Sequence, residues 1–429
     1  MKKPVKKIRY DIKNSPETVM KAAMEALKSL LQTNGSLDDY LDSIKGDALL
    51  RKRLSSLLFG CFRYGKIIDE VLKKVCTRPP VTEVKNLLVI TLVMAKYQDS
   101  LAGESVANIA VTLAKKEFNN FTARFVNAVL RKSLILLDDI KCDPLPNRIS
   151  DRWKKAFPKD VYRNLSELFT QKAHSTVRLR SGFEITDNAA LEMLDLDLPW
   201  RFYYCSDLSG LLQSEDFAAG KFYIQDPAPA HVCKLLQDHA ELLPQKVNFI
   251  DLCAAPGGKF IMNMELLSDL GKTVLSATAV DRSSRRLELV RKNLERCRIK
   301  GSVQTADAAD PAIFAGKTFE LVTCDVPCSN SGVFRRRPDA LWHWSTGSML
   351  DIAGLQSRIL NNAARLTAEN GLLLYSTCSL EAEENSLQIE KFLREHADFE
   401  LVGDELFMPQ IHCDGTYAAL LRKKEGGTQ

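Results

Sequence analysis

Residues 247–260 read Val-Asn-Phe-Ile-Asp-Leu-Cys-Ala-Ala-Pro-Gly-Gly-Lys-Phe, and the change of character within that stretch decides the fold. A short apolar run (247–252) gives way to small residues and two glycines, and the loop 251–259 then opens a helix. That is the pattern of a strand, a tight turn and a helix. Lacking a Cβ, the glycines let backbone approach a ligand closely, and the helix start offers N–H groups with no partner inside the helix. A phosphate-binding loop would need Gly at position 253 and Ser or Thr at 260, where Cys253 and Phe260 stand. A glycine turn that merely caps a helix is the plainer alternative, and only the surrounding sequence separates the two.

Outward from this stretch, further apolar runs occupy 274–280, 319–324 and 371–375, with helical stretches at 285–297 and 349–366. Short apolar strands separated by helices imply a parallel sheet covered on both faces. Asp281 closes the second strand 24 residues after Gly257, near the ~20 at which an acid meets a ribose hydroxyl. Asp307 follows a third strand (302–306), and Asp325 ends the fourth. Ligands of open α/β sheets bind at the carboxyl ends of the strands. Each acid alone reads as a solvated loop carboxylate or a helix cap; with the glycine loop they argue for a nucleoside cofactor.

Two cysteines share that rim. Asp-Val-Pro-Cys-Ser (325–329) and Ser-Thr-Cys-Ser (376–379) each place one just beyond a strand end, among polar turn residues. A single cysteine after a strand is usually a small buried hydrophobe. Zinc is a competing reading, with Cys253, Cys324, Cys328 and Cys378 as ligands. No tight Cys-x-x-Cys pair or histidine cluster accompanies them, so no metal is expected.

The chain has 429 residues and a net charge of +5. Lys2, Lys3, Lys6, Lys7 and Arg9 supply five cations in the first ten residues, and the remainder balances. Nucleic-acid affinity beyond that tail must therefore come from local patches. Residues 282–300 hold eight Lys/Arg against two Glu, mostly a solvated helix face in this reading. Arg335, Arg336 and Arg337, just past Cys328, are instead candidate phosphate contacts. The longest apolar run, 87–95, is far short of the ~20 residues of a membrane span and reads as a buried helix. The basic N-terminus has no apolar core behind it and is not a signal peptide. Eleven cysteines without paired spacing suggest a reducing compartment, so a cytoplasmic monomer without membrane contact is expected.

Residues 15–140 read as all helix, with Leu54, Leu57, Leu58, Cys61 and Phe62 at helical spacing and breakers at Asn34-Gly35 and Pro79-Pro80. The segment 143–147 reads as a linker, and 150–225 as mixed, with a strand at 176–180. The expected domains are a helical one (1–140), a small mixed α+β one (141–225) and an α/β one with a mostly parallel, Rossmann-like sheet (226–429).

DLCAAPGGK (251–259), DVPCS (325–329) and STCS (376–379) followed by EENSLQIE (383–390) resemble the RNA cytosine-5 methyltransferases, in particular the bacterial Sun/Fmu/RsmB group that modifies small-subunit ribosomal RNA. The resemblance extends to YIQDP (223–227) and DGTYAA (414–419). LLFGCFR (57–63) and FVNAVLR (125–131) resemble that group's NusB-like RNA-binding domain. The resemblance implies a class I methyltransferase fold in which Cys253, Ala254, Ala255, Pro256, Gly257, Gly258, Lys259, Asp281, Asp307 and Asp325 hold S-adenosyl-L-methionine. It implies Cys378 as nucleophile and Cys328 as the residue assisting product release, with Asp325 and Lys259 also in the catalytic set. Phe260 departs from the Thr or Ser common after the lysine and Ser331 from a common Thr, and Phe260 removes a hydroxyl near the cofactor.

A thiolate has a definite use in such chemistry. Carbon 5 of cytosine is too weak a nucleophile to attack a sulfonium methyl group until a thiolate adds to carbon 6. A base must then take the carbon-5 proton so that the cysteine can leave, and a nearby carboxyl can stabilise the adduct. Lys259 would favour the thiolate. Two alternatives remain. One is an RNA-binding assembly factor with a degenerate methyltransferase domain, yet no cysteine or cofactor acid is missing. The other is an amino-group methylase, which would want an Asn-Pro-Pro-Tyr-type loop where residues 325–328 stand.

Overall fold

The computed structural model describes residues 15–33, 35–44, 48–98, 102–185 and 188–426. The basic tail and Asn34 lie outside them. Contacts divide the chain into Met1–Gln171 with Phe334–Trp344, and Lys172–Val333 with Ser345–Gln429.

Helices Pro16–Thr33, Leu37–Ser43, Ala48–Val75, Thr82–Tyr97, Gly103–Glu117, Asn120–Asp139, Asn147–Ala156 and Lys159–Leu168 build the first unit. Thr82–Tyr97 is its centre: Leu87, Leu88, Ile90, Leu92 and Val93 are wholly buried, which is why the 87–95 run shows no polar face. Each contributes roughly 1.5–3 kcal/mol relative to exposure. Leu54, Leu57, Leu58, Cys61 and Phe62 face the same core, as their spacing requires.

Two boundaries differ from the sequence reading. Residues 143–147 are not a linker, because Asp143 gathers Ser150 Oγ, Lys154 Nζ and Tyr162 Oη at 2.6 Å each, tying the helices that follow it. A Pro-Leu-Pro-Asn segment looks like a spacer in sequence; one carboxylate with three donors does not show there. The second difference is Phe334–Trp344, which packs with the helical unit. Trp342 Nε1 donates to Phe62 O at 2.7 Å, Leu37 N to Asp339 Oδ2 at 3.0 Å, and Phe334 stacks on Trp153.

The second unit opens with strands β1 (Thr176–Leu179), β2 (Leu191–Met193), β3 (Phe202–Cys205) and β4 (Phe222–Ile224), an antiparallel sheet in the order β2-β3-β1-β4. Seven strands follow: β5 (Lys246–Asp251), β6 (Thr273–Asp281), β7 (Ser302–Thr305), β8 (Phe319–Asp325), β9 (Thr367–Thr377), β10 (Phe399–Phe407) and β11 (Thr416–Lys423). Their order is β10-β11-β9-β8-β5-β6-β7, with β5 to β9 parallel and β10 and β11 antiparallel additions. Alternate residues serve the two faces. Phe249, Leu321, Leu372 and Leu374 join the core against helices Gly258–Asp269 and Ser284–Cys297. Ile250, Val322, Leu373 and Tyr375 join the one against Thr346–Leu366 and Ser386–Glu395. Burial on both sides makes these strands read as continuous apolar runs.

Candidate active site

Register brings the strand ends together. Asp251 pairs with Thr323, and Asp325 with Ser376, so β5, β8 and β9 open their carboxyl ends onto one rim. After β5 the chain turns at Gly257, whose φ of +106° suits a residue without Cβ, and helix Gly258–Asp269 begins. A Cβ at Gly258 would stand 3.1 Å from Gln225 Nε2, so the small sheet closes tightly on the loop. Gln225 is itself held by buried Arg178, whose Nε donates to it at 3.0 Å and whose Nη1 meets Glu265 at 2.5 Å.

The cavity beside the loop is lined by Cys253, Ala254, Ala255, Pro256 and Gly258, by Tyr223 and Gln225, and by the charged groups of Asp251, Lys259 and Asp325. Lys259 Nζ donates to Asp325 Oδ2 at 2.7 Å, and Ser376 Oγ to Asp325 Oδ1 at 2.9 Å. Burial pulls the Lys259 ammonium down, but the Asp325 carboxylate outweighs it and leaves it raised. Asp251 is buried; that burial, reinforced by the charge of Asp325, pushes it up to about 7. Two carboxylates share the cavity with one ammonium, which suits a ligand carrying positive charge.

A pH signature follows. The folded chain holds the Asp251 proton up to about pH 7, while the unfolded chain releases it near pH ~3.9. This group's contribution to stability therefore falls as pH rises through that window. A cationic ligand favours the ionised carboxylate, so its affinity should rise by up to about tenfold per pH unit towards neutrality. Calorimetry across that range should show the rise in the wild type and a flat profile in Asp251→Asn. A flat wild-type profile would place Asp251 away from the ligand.

The remaining acids stand apart from the cavity. Asp281 is buried at the end of β6, beside the loop: Ala254 N donates to Val280 O at 2.8 Å. Its Oδ1 accepts from Ser283 N at 2.8 Å, and its Oδ2 lies 3.5 Å from Arg286, which also donates to Ala255 O. Asp307 is exposed and accepts from Ala309 N at 2.9 Å. Neither lines the cavity. Phe260 points into the core and stacks on Phe249, so the change at that position leaves the cavity wall untouched.

Of the three arginines after Cys328, one requires a correction. Arg335 is buried and its carbonyl accepts from Arg63 at 2.7 Å, which leaves its side chain no face for a phosphate. Arg336 is half-buried, and Arg337 is exposed but paired with Asp38 at 3.1 Å. Phe334, Pro338 and Trp342 draw the segment into the helical unit, an effect invisible in a count of charges.

The two cysteines do come together. Cys328 Sγ and Cys378 Sγ are 3.0 Å apart. Cys378 Sγ donates to Asn330 Oδ1 at 3.3 Å while Asn330 Nδ2 donates to Cys328 O at 3.1 Å. Asn330 has a φ of +60°, a left-handed conformation that asparagine tolerates better than most residues. The Cys328 thiol is pushed well up by its hydrogen bond to Cys378, then by burial and by the charges of Cys378 and Glu384. Gly332 N donates to Cys378 O and Gly415 N to Gly332 O, both at 2.9 Å. A Cβ on Gly332 would lie 2.7 Å from Gly415 O, so the close approach needs glycine. Ser331 Oγ accepts from Leu380 N at 2.8 Å. Among the described residues, no group of three or more His, Cys, Asp or Glu could hold a metal, and no helix is long and apolar enough to cross a membrane.

Asn330, Glu384, Tyr223 and Gln225 escaped the sequence reading. Motifs 223–227 and 383–390 pointed to the last three, but spacing alone gave them no chemistry.

A Rossmann-like sheet with a glycine loop, strand-end acids and paired cysteines on one rim, joined to a helical NusB-like unit, defines a class I methyltransferase. Two family models match the chain: 16S rRNA methyltransferase RsmB/F over residues 240–422 and the NusB family over residues 17–134. The chain is 27% identical to the probable ribosomal RNA small subunit methyltransferase B of Bacillus subtilis, over 89% of this chain and 90% of that one. It is 36% identical to ribosomal RNA small subunit methyltransferase B of Xanthomonas campestris over 49% of each. The fold is similar to the crystal structure of PH0851, with a TM-score of 0.71 at 21% identity over 96% of this chain and 99% of that one. It is also similar to NSun6 from Pyrococcus horikoshii solved with SFG, an analogue of S-adenosylmethionine, with a TM-score of 0.55 at 18% identity over 66% and 99%.

Proposed function

We propose that this chain uses S-adenosylmethionine to methylate carbon 5 of a cytosine in small-subunit ribosomal RNA, through a covalent bond between Cys378 and carbon 6. The observation that carries the proposal is the pair of thiols 3.0 Å apart beyond the ends of β8 and β9, the same sheet edge that carries the carboxylates of the cavity. The cavity fits the cofactor: glycine-rich backbone for close approach, carboxylates for its two positive charges, and Asp281 beside the loop for the ribose. Asp307 lies exposed at the next strand end, within the same set. Bound there, S-adenosylmethionine supplies an electrophilic methyl group.

The chain's own residues do the rest. Cys378 is the less buried of the two cysteines, which favours it for the attack. Asp325, hydrogen-bonded by Lys259, offers an acceptor to the pyrimidine edge. Once Cys378 is bonded to carbon 6, its hydrogen bond and charge no longer raise Cys328. Cys328 can then ionise and take the carbon-5 proton, and the carbon–sulfur bond breaks with its electron pair returning to Cys378.

RNA carrying tritium at carbon 5 of cytosine tests the chemistry. One tritium should enter water for each methyl transferred. Methyl transfer with no tritium release would put the methyl group on another atom.

The helical unit has a candidate RNA face. Helix Asn120–Asp139 exposes Phe121 (81%), Arg124, Arg131, Lys132 and Ile135 on one side, and the three cations have no ion-pair partner among the described residues. Cations take phosphates, and an exposed ring can stack on an unpaired base. Replacing all three cations by Ala in the full chain should reduce the slope of log affinity against log salt by about 0.7–0.9 for each phosphate no longer neutralised. An unchanged slope would move RNA binding elsewhere. The full chain is used because starting it at residue 141 would strip Phe334–Trp344 of its packing.

A further inference from the structure

Glu384 lies in the short turn Ala382–Glu384 and is completely buried. Its carboxylate collects donors from both cysteine loops. Oε1 accepts from Ser329 N at 2.8 Å and from Gln356 Nε2 at 3.1 Å. Oε2 accepts from the hydroxyls of Ser329 and Ser379. Ser329 directly follows Cys328, and Ser379 directly follows Cys378. Gln356 Nε2 also donates to the carbonyl of Pro327, on the other side of Cys328, at 2.9 Å.

This arrangement is costly. Burial raises the Glu384 carboxyl, and the hydrogen bonds from Ser329 and Ser379 only partly counter that. Two loops that needed only to pack could do so through apolar contacts, without a buried carboxylate. What one carboxylate with two oxygens adds is a common anchor. Each oxygen holds the Cys328 loop, and one of them also holds the Cys378 loop, so neither loop can shift without breaking bonds at the other.

We propose that Glu384 is a positioning residue for both cysteines, fixing the residue after each to one point and so setting the distance between the two sulfurs. It rests on the covalent reading of the site for its consequence in catalysis, though its geometry can be tested without RNA or cofactor.

The test uses the full reduced chain and diamide, which oxidises two thiols to a disulfide and is itself reduced to the hydrazine. Peptide mapping follows the Cys328–Cys378 bond. Glu384→Gln keeps the shape but turns an NH₂ towards donors. It should slow that bond at least about tenfold, since disulfides demand narrow geometry. Its kcat should fall about a hundredfold, the usual cost of ~1 Å of misplacement, with RNA KM and cofactor affinity unchanged. Ser379→Ala removes one donor and should slow the bond by a smaller factor, about threefold. A folded Glu384→Gln that forms the disulfide at the wild-type rate overturns the proposal. If that variant does not fold, a wild-type rate in the Ser329→Ala, Ser379→Ala double variant overturns it instead. Failed tritium release with a Glu384-dependent disulfide rate would reject the cytosine chemistry and leave the clamp standing.

Discussion

Cys378→Ala is expected to abolish methylation and give no RNA adduct, whereas Cys328→Ala should accumulate a protein–RNA complex that survives denaturing electrophoresis. The asymmetry comes from the order of the steps. In the proposed mechanism Cys378 makes the bond that activates carbon 5, and loss of a residue forming the covalent intermediate can cost about 10⁶-fold. In that mechanism Cys328 would act only after methyl transfer, so its loss would leave a methylated base still bonded to sulfur. The greater exposure of Cys378 agrees with this division. DNA cytosine methylases use the cysteine of the Pro-Cys motif instead. A trapped complex from Cys378→Ala, with none from Cys328→Ala, would reverse the assignment and keep the mechanism.

Asp325→Ala carries the second large effect. Asp325 holds Lys259 at 2.7 Å and Ser376 at 2.9 Å, and it lines the cavity. Losing one charge-assisted hydrogen bond to the proposed pyrimidine, about 1.5–3 kcal/mol, corresponds to about 10–10²-fold in rate. A folding defect could lower activity too, so a second readout is needed. The charge of Asp325 helps to raise Asp251, and Lys259 opposes that rise. Without Asp325, Asp251 should fall back towards the ordinary carboxylate range. The pH at which ligand affinity levels off should move to lower values with it. A variant with full activity, or with an unmoved pH profile, would remove Asp325 from the site.

The α/β half was readable because its central strands are buried on both faces and its loop is rich in glycine. Asp281 and Asp325 closed their strands as their positions indicated; β5 to β8 needed only small adjustments of their ends, while β9 runs over Thr367–Thr377 where the sequence reading had 371–375. The antiparallel pair β10 and β11 was missed: β10 is mostly exposed, so it lacks an apolar run. Arg335 looked like a phosphate ligand because a sequence shows its charge and its neighbour Cys328, but not the aromatic side chains that carry the segment into the helical unit. Asp143 and Glu384 escaped for a related reason. Each gathers donors from several segments, and no single periodicity marks such a residue. Asn330 owes its place beside both cysteines to a left-handed turn that spacing does not reveal.

Nucleotide-resolution mapping of 5-methylcytosine in small-subunit ribosomal RNA, from cells with and without this chain, tests the proposed function most directly. At least one cytosine should be methylated only when the chain is present, restored by the wild type and not by Cys378→Ala. Identical maps in the two cells would contradict it.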